Sequence, residues 1–198
     1  MLEQLVQLDI ELFLYLNNLG STSWDAFWMF YTTKFYWIPF YAVLLFLIFR
    51  TRTPKLFLIT IVVIALMVLF TDQMTNVFKK VLVMRLRPCH DPTLEGLMRL
   101  VKPNCGGQYG FFSGHASNSM AVAVFSGLLL RFKYKYFIFL MLLWSAAMGY
   151  SRIYIGVHFP LDVVCGMAFG ALSGFLFYKL DIYLQHRFRV RQFFLVSK

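Results

Sequence analysis

The sequence predicts an all-α, polytopic transmembrane helical bundle, and three observations carry that prediction. Of 198 residues, 60% are hydrophobic and only 14% are charged, whereas soluble domains are about a quarter charged. Apolar runs recur at 35–49, 56–70, 116–130, 136–150 and 161–178. Each falls somewhat short of the roughly 20 residues a spanning helix needs, but each extends through weakly polar flanks. Five such runs cannot be the cores of five soluble domains in so short a chain. Residues 1–198 therefore read as one membrane-embedded domain with five spans.

The elements follow in order. Segment 1–20 mixes Leu2, Leu5, Leu8, Ile10, Leu12, Phe13 and Leu16 with Glu3, Asp9 and Glu11. Three carboxylates suit a helix lying in the membrane interface better than a sixth span, although six spans stay open. No basic leader or small-residue cleavage site precedes it, so the N-terminus is expected to be retained. Turn-forming residues at "NNLGSTS" (17–23) and "TRTP" (51–54) flank the first span. The second continues through "TDQMTNVF", and the fifth to about Leu184. Between the second and third lies loop 84–115, with Pro88, Pro92, Pro103 and Gly106–Gly107. Loops of that length are usually functional or disordered. Cys89 and Cys105 share it, and either a disulfide or two free thiols fits; Cys165, in the last span, reads as packing. Gly166, Gly170 and Gly174 give that span a repeated small-xxx-small stripe, for close packing inside the bundle or for a seam between two copies.

The net charge of +10 could mark a nucleic-acid binder, but its distribution excludes that class. Eleven of the 19 basic residues fall in 50–55, in 131–135 and from Lys179 to the C-terminus, with almost no acids. Short basic loops on one side are the signature of a cytoplasmic face. A bacterial inner membrane with the C-terminus in the cytoplasm is the expectation.

The remaining basic residues cluster where antiparallel spans bring four ends to the opposite face. Lys79, Lys80, Arg85 and Arg87 follow the second span, His115 opens the third, Arg152 closes the fourth, and His158 and Asp162 open the fifth. Cations converging in a low-dielectric setting make sense around an anion, and several donors suit a phosphate. "FSGHAS" (112–117) adds a Ser-Gly turn at a helix N-terminus, a ready anion site. His158 and Asp162 stand one helical turn apart, so the carboxylate can hold the imidazole from its far nitrogen. An imidazole so held, with a near-neutral pKa, is a candidate nucleophile or base. His115 can then act as the acid for the leaving oxygen. Asp72 is expected to pair with a cation of the cluster, and His90 and His186 read as loop and tail residues.

Here the sequence resembles a known family. "KVLVMRLRP" (80–88) fits K-x6-R-P, "FSGH" fits P-S-G-H except at Phe112, and "SRIYIGVHFPLD" (151–162) fits S-R-x5-H-x3-D. These are the ordered motifs of the type 2 phosphatidic acid phosphatase superfamily, and they cover residues 72–162. The superfamily includes undecaprenyl-diphosphate and phosphatidylglycerophosphate phosphatases and the vanadium haloperoxidases. The resemblance implies His158 as nucleophile, Asp162 orienting it and His115 as acid, with Lys80, Arg87, Arg152, Ser113 and the Gly114 N–H holding phosphate. It implies no metal and no cofactor. The expected function is hydrolysis of a membrane lipid phosphate or diphosphate, undecaprenyl diphosphate first. Phosphatidylglycerophosphate, phosphatidic acid and lipid A phosphate are the alternatives. A haloperoxidase-like enzyme and a non-catalytic lipid-phosphate carrier are the other classes weighed.

Overall fold

The computed structural model describes residues 2–196, with side chains for 3–188. Seven α-helices run in order: α1 (Leu2–Asn18), α2 (Thr22–Thr32), α3 (Ile38–Phe49), α4 (Pro54–Val77), α5 (Gly114–Leu130), α6 (Phe137–Tyr154) and α7 (Pro160–Val196). Of the basic tail, the side chains of Arg189 and Arg191, and Lys198 entirely, lie outside the described residues.

Among the described residues, three stretches, 54–82, 137–154 and 160–188, are long and apolar enough to cross a membrane. A fourth candidate is the pair α2 and α3, bent by 62° at Thr33. The sequence expected that span to begin at residue 35, whereas its helical stretch begins at Thr22 and breaks before Lys34. α5 and α1 are both 17 residues long, just under that length, but they sit differently. α5 is enclosed by α3, α4, α6 and α7, while α1 packs against α6, α7 and the long loop.

Helix faces follow from spacing. On α4 the buried residues Leu56, Thr60, Val63, Met67, Thr71 and Thr75 recur at three or four, the period of one helical face. Leu58, Val62, Leu66 and Leu69 are exposed on the other side, as a lipid-facing surface requires. Since lipid is as apolar as leucine, helix association in a membrane depends on close packing rather than on burial. The α5–α7 contact shows this best. A Cβ on Gly166 would stand 2.6 Å from the Ser113 carbonyl oxygen, and one on Gly174 2.5 Å from that of Ala121. Gly170 meets the Ser117 carbonyl oxygen closer still. The glycine stripe is therefore occupied by α5 of the same chain, which removes it as a seam for a second copy.

Beneath the clustered helix ends, Phe13, Leu94, Ala116, Ile153, Phe159 and Val163 form a small core. It draws on α1, the long loop, α5, α6, the turn before α7 and the first turn of α7. Asn17 is fully buried and donates to the carbonyls of Arg99, Ile153 and Tyr154 while accepting from the Arg99 N–H. One side chain thus ties α1, the loop and the end of α6 together.

Candidate active site

The turn 155–159 between α6 and α7 is built for close quarters. Gly156 has φ +83, a conformation glycine adopts without penalty, and Pro160 opens α7 where its missing N–H costs nothing. His158 is 2% exposed and Asp162 fully buried. His158 Nδ1 lies 3.2 Å from Asp162 Oδ2, which also accepts the Phe159 N–H at 3.1 Å. The Asp162 carbonyl accepts the Ser113 N–H at 2.9 Å, joining α7 to the start of α5. Ser113 caps α5, its hydroxyl oxygen accepting from the Ala116 N–H at 3.5 Å, and His115 follows, half-buried. A positive helix end therefore points at the same place as the histidines.

Three arginines close in. Arg152, 4% exposed, donates from Nη1 to the Thr32 hydroxyl at 2.6 Å, and its Nε is buried without a protein partner. Arg87 donates from Nε to the Tyr109 carbonyl at 3.3 Å and from Nη1 to the Cys105 carbonyl at 3.2 Å. Cys89 and Cys105 form a disulfide, Cα atoms 6.0 Å apart, so the loop that holds Arg87 is covalently closed. Arg85 Nη1 reaches Asp162 Oδ1 at 3.3 Å.

Burial and the Arg152, Arg87 and Lys79 charges hold His158 well below the ordinary histidine value. The near-neutral value expected from sequence does not survive, because the imidazole is sealed from water among cations. Burial lowers Arg87, and burial with Arg152 and Arg87 nearby lowers the Lys102 amine. Cations so arranged repel one another, and an anion among them would relieve that repulsion.

Of the residues singled out in the sequence, His158, Asp162, His115, Ser113, Gly114, Arg87 and Arg152 come together here. Lys80 does not: it is exposed, while its neighbour Lys79 turns inward. A Cβ on Gly114 would stand 3.8 Å from Lys79 Nζ. The chain winds as a π turn over Phe78–Leu82, and Lys79 extends the buried stripe Thr71–Thr75 by one more step of four. That periodicity was the available signal; motif spacing pointed to the adjacent lysine. Asp72 is exposed and, among the described residues, makes no ion pair, though its charge reaches Lys79. His90 and His186 are exposed, and His90 Nε2 lies 3.3 Å from the Gly106 carbonyl oxygen in the loop that holds Arg87.

Sequence reasoning missed Gly110, which lies against the His158–Asp162 pair. A Cβ there would stand 2.9 Å from Asp162 Oδ2 and 3.5 Å from His158 Nδ1. It also missed Thr32, which holds Arg152. Phe112, in the family's proline position, is buried against Phe78 and Phe169.

Residues 56–185 match the profile of the PAP2 superfamily. The chain belongs to this family. It is 36% identical over 192 residues to the lipid A 4'-phosphatase of Bacteroides thetaiotaomicron, covering 96% of this chain and 83% of that one. To the lipid A 4'-phosphatase of Porphyromonas gingivalis it is 34% identical, covering 94% and 78%. An undecaprenyl-diphosphatase of Sulfolobus acidocaldarius is 29% identical, covering 90% and 81%. The crystal structure of a transmembrane PAP2 type phosphatidylglycerolphosphate phosphatase from Bacillus subtilis superposes with a TM-score of 0.71 over 91% of this chain and 87% of that one. At 19% identity this likeness is one of fold. The protein is thus an integral membrane lipid phosphatase of the PAP2 type.

Proposed function

We propose that this PAP2 phosphatase removes a phosphate from the sugar headgroup of lipid A, at the 4' position, through a phosphohistidine. The chemistry rests on one observation above the others: a buried His158 whose Nδ1 is held by a buried carboxylate. With Nδ1–H donated to Asp162, Nε2 keeps its lone pair and attacks phosphorus. Its lowered pKa favours that neutral, nucleophilic form. Arg87, Arg152, Lys79, Ser113 and the Gly114 N–H hold the phosphate oxygens. His115 gives its proton to the departing sugar oxygen, then takes one from the water that cleaves the N–P bond.

Beside His115 opens an apolar cavity of about 540 Å³. Its wall along α5 runs from His115 through Asn118, Val122 and Phe125 to Ser126, about 16 Å of helix. It lies on the side where the leaving group departs, as a lipid leaving group requires.

Substrate preference draws on the relatives. Sequence alone put undecaprenyl diphosphate first. Two lipid A 4'-phosphatases at 36% and 34% identity, against one undecaprenyl-diphosphatase at 29%, move the reading to lipid A. The basic loops argue for a site on the non-cytoplasmic face, with the C-terminus in the cytoplasm. A green fluorescent protein fused there should fluoresce, since it matures poorly outside the cytoplasm.

Purified protein in detergent with excess chelator should release phosphate from lipid A and shift the lipid's mass by one phosphate. Undecaprenyl diphosphate, phosphatidylglycerophosphate and phosphatidic acid should turn over more slowly. Faster release from any of these would overturn the substrate reading, and normal turnover by His158→Ala would overturn the mechanism.

A further inference from the structure

α1 carries a carboxylate where an amphipathic surface helix has no evident use for one. Asp9 is 6% exposed and lies one turn before buried Phe13 and two before buried Asn17. Its Oδ1 accepts the Leu161 N–H at 2.8 Å, capping α7 in its first turn. Its Oδ2 lies 2.7 Å from Arg85 Nη1. The same Nη1 is 3.3 Å from Asp162 Oδ1, and the other Asp162 oxygen faces His158. Asp9, Arg85, Asp162 and His158 therefore form an unbroken chain of contacts from the N-terminal helix to the reacting imidazole.

Each link has a physical requirement. A carboxylate with no exposed surface is costly unless a charge and hydrogen bonds compensate it. Arg85 supplies that charge to Asp162. Its guanidinium lies 4.0 Å over the Phe159 ring, and Phe13 of α1 packs edge-on against that ring at 5.3 Å. An arginine shared by two carboxylates is held between them, and removing one lets it move onto the other. Asp9 lies outside the ordered motifs, and Arg85 occupies one of the unspecified positions within the first.

We propose that Asp9 and Arg85 are positioning residues for the phosphatase reaction, setting the hold of Asp162 on His158. The proposal rests on His158 being the nucleophile, and its test separates the two readings. Asp9→Asn keeps an oxygen for the Leu161 N–H and removes only the charge, whereas Asp9→Ala removes both. With lipid A in detergent, Asp9→Asn should lower kcat about tenfold, a barrier increase of about 1.4 kcal/mol. KM should be unchanged, and so should the melting temperature. Asp9→Glu, which restores the charge, should recover part of the loss. Because Asp9 acts through Arg85, adding Asp9→Asn to Arg85→Gln should cost little more than Arg85→Gln alone.

Wild-type kcat in Asp9→Asn would overturn the proposal and leave Asp9 as a helix cap. So would fully additive losses in the double variant. Should wild type release no phosphate, or His158→Ala release it normally, the functional reading falls instead.

Discussion

A single methyl group added at residue 110 would stand 2.9 Å from the carboxylate that holds His158. Gly110→Ala should therefore lower kcat at least tenfold while costing about 1–3 kcal/mol of stability, the usual range for overpacking. Paired phosphate-release and thermal-melt measurements check both. The neighbouring lysines make a sharper comparison. Lys79 reaches toward the start of α5 and Lys80 is exposed. Lys79→Ala should reduce kcat/KM about 10²-fold or more, the scale for removing one donor to a developing anion. Lys80→Ala should stay within a few-fold, and the reverse order would return the role to the motif lysine. His158, Asp162, Arg152 and the start of α5 were legible because chemistry and spacing coincide there. Lys79 was passed over, although it continues the four-residue stripe of Thr71 and Thr75, because motif spacing pointed to the adjacent lysine. Gly110 and Thr32 were invisible, since what they provide is space and an oxygen at a distance only folding brings together.

At the scale of elements, the long loop is a part with its own closure. The Cys89–Cys105 bond encloses a separation of 16 residues, for which removing the cross-link costs about 3 kcal/mol in the chain-entropy account. Cys89→Ser should lower the melting temperature accordingly. It should also raise KM more than it lowers kcat, because Arg87 donates to the Cys105 carbonyl while His115 stands on α5 and His158 on the short turn between α6 and α7. An unchanged KM would mean that Arg87 is held by Tyr109 alone. The sequence left the two thiols open because partners in one loop can be paired or merely near. It likewise left two uses open for the glycine stripe, and only the carbonyls of α5 decide between them. At 17 residues α1 falls just under the spanning length, as α5 does, and from sequence its three carboxylates read as marks of a membrane interface. Asp9 shares a face with Phe13 and Asn17, a pattern of four that sequence offers and hydropathy alone obscures.

Over the whole molecule, burying a neutral imidazole among cations links stability to acidity. The unfolded chain binds a proton at His158 near pH 6.5, and the folded chain binds it only well below that. Stability at pH 7.5 should therefore be lost as pH falls below about 6.5, by up to about 1.4 kcal/mol per unit from this group. Melting curves in detergent should show the fall, and His158→Gln should flatten it. Bound vanadate should also reduce it by offsetting the arginines. A slope unaffected by His158→Gln would assign the acid sensitivity elsewhere. The α5–α7 contact has a mechanical corollary. Backbone lies on backbone at three successive turns, so the two helices behave as one rigid plate. His115 is mounted at the head of one and His158 just before the other. Thickening, stretching or tilting by the surrounding bilayer would carry acid and nucleophile along together, and the gap across which the phosphoryl group passes would keep its gauge.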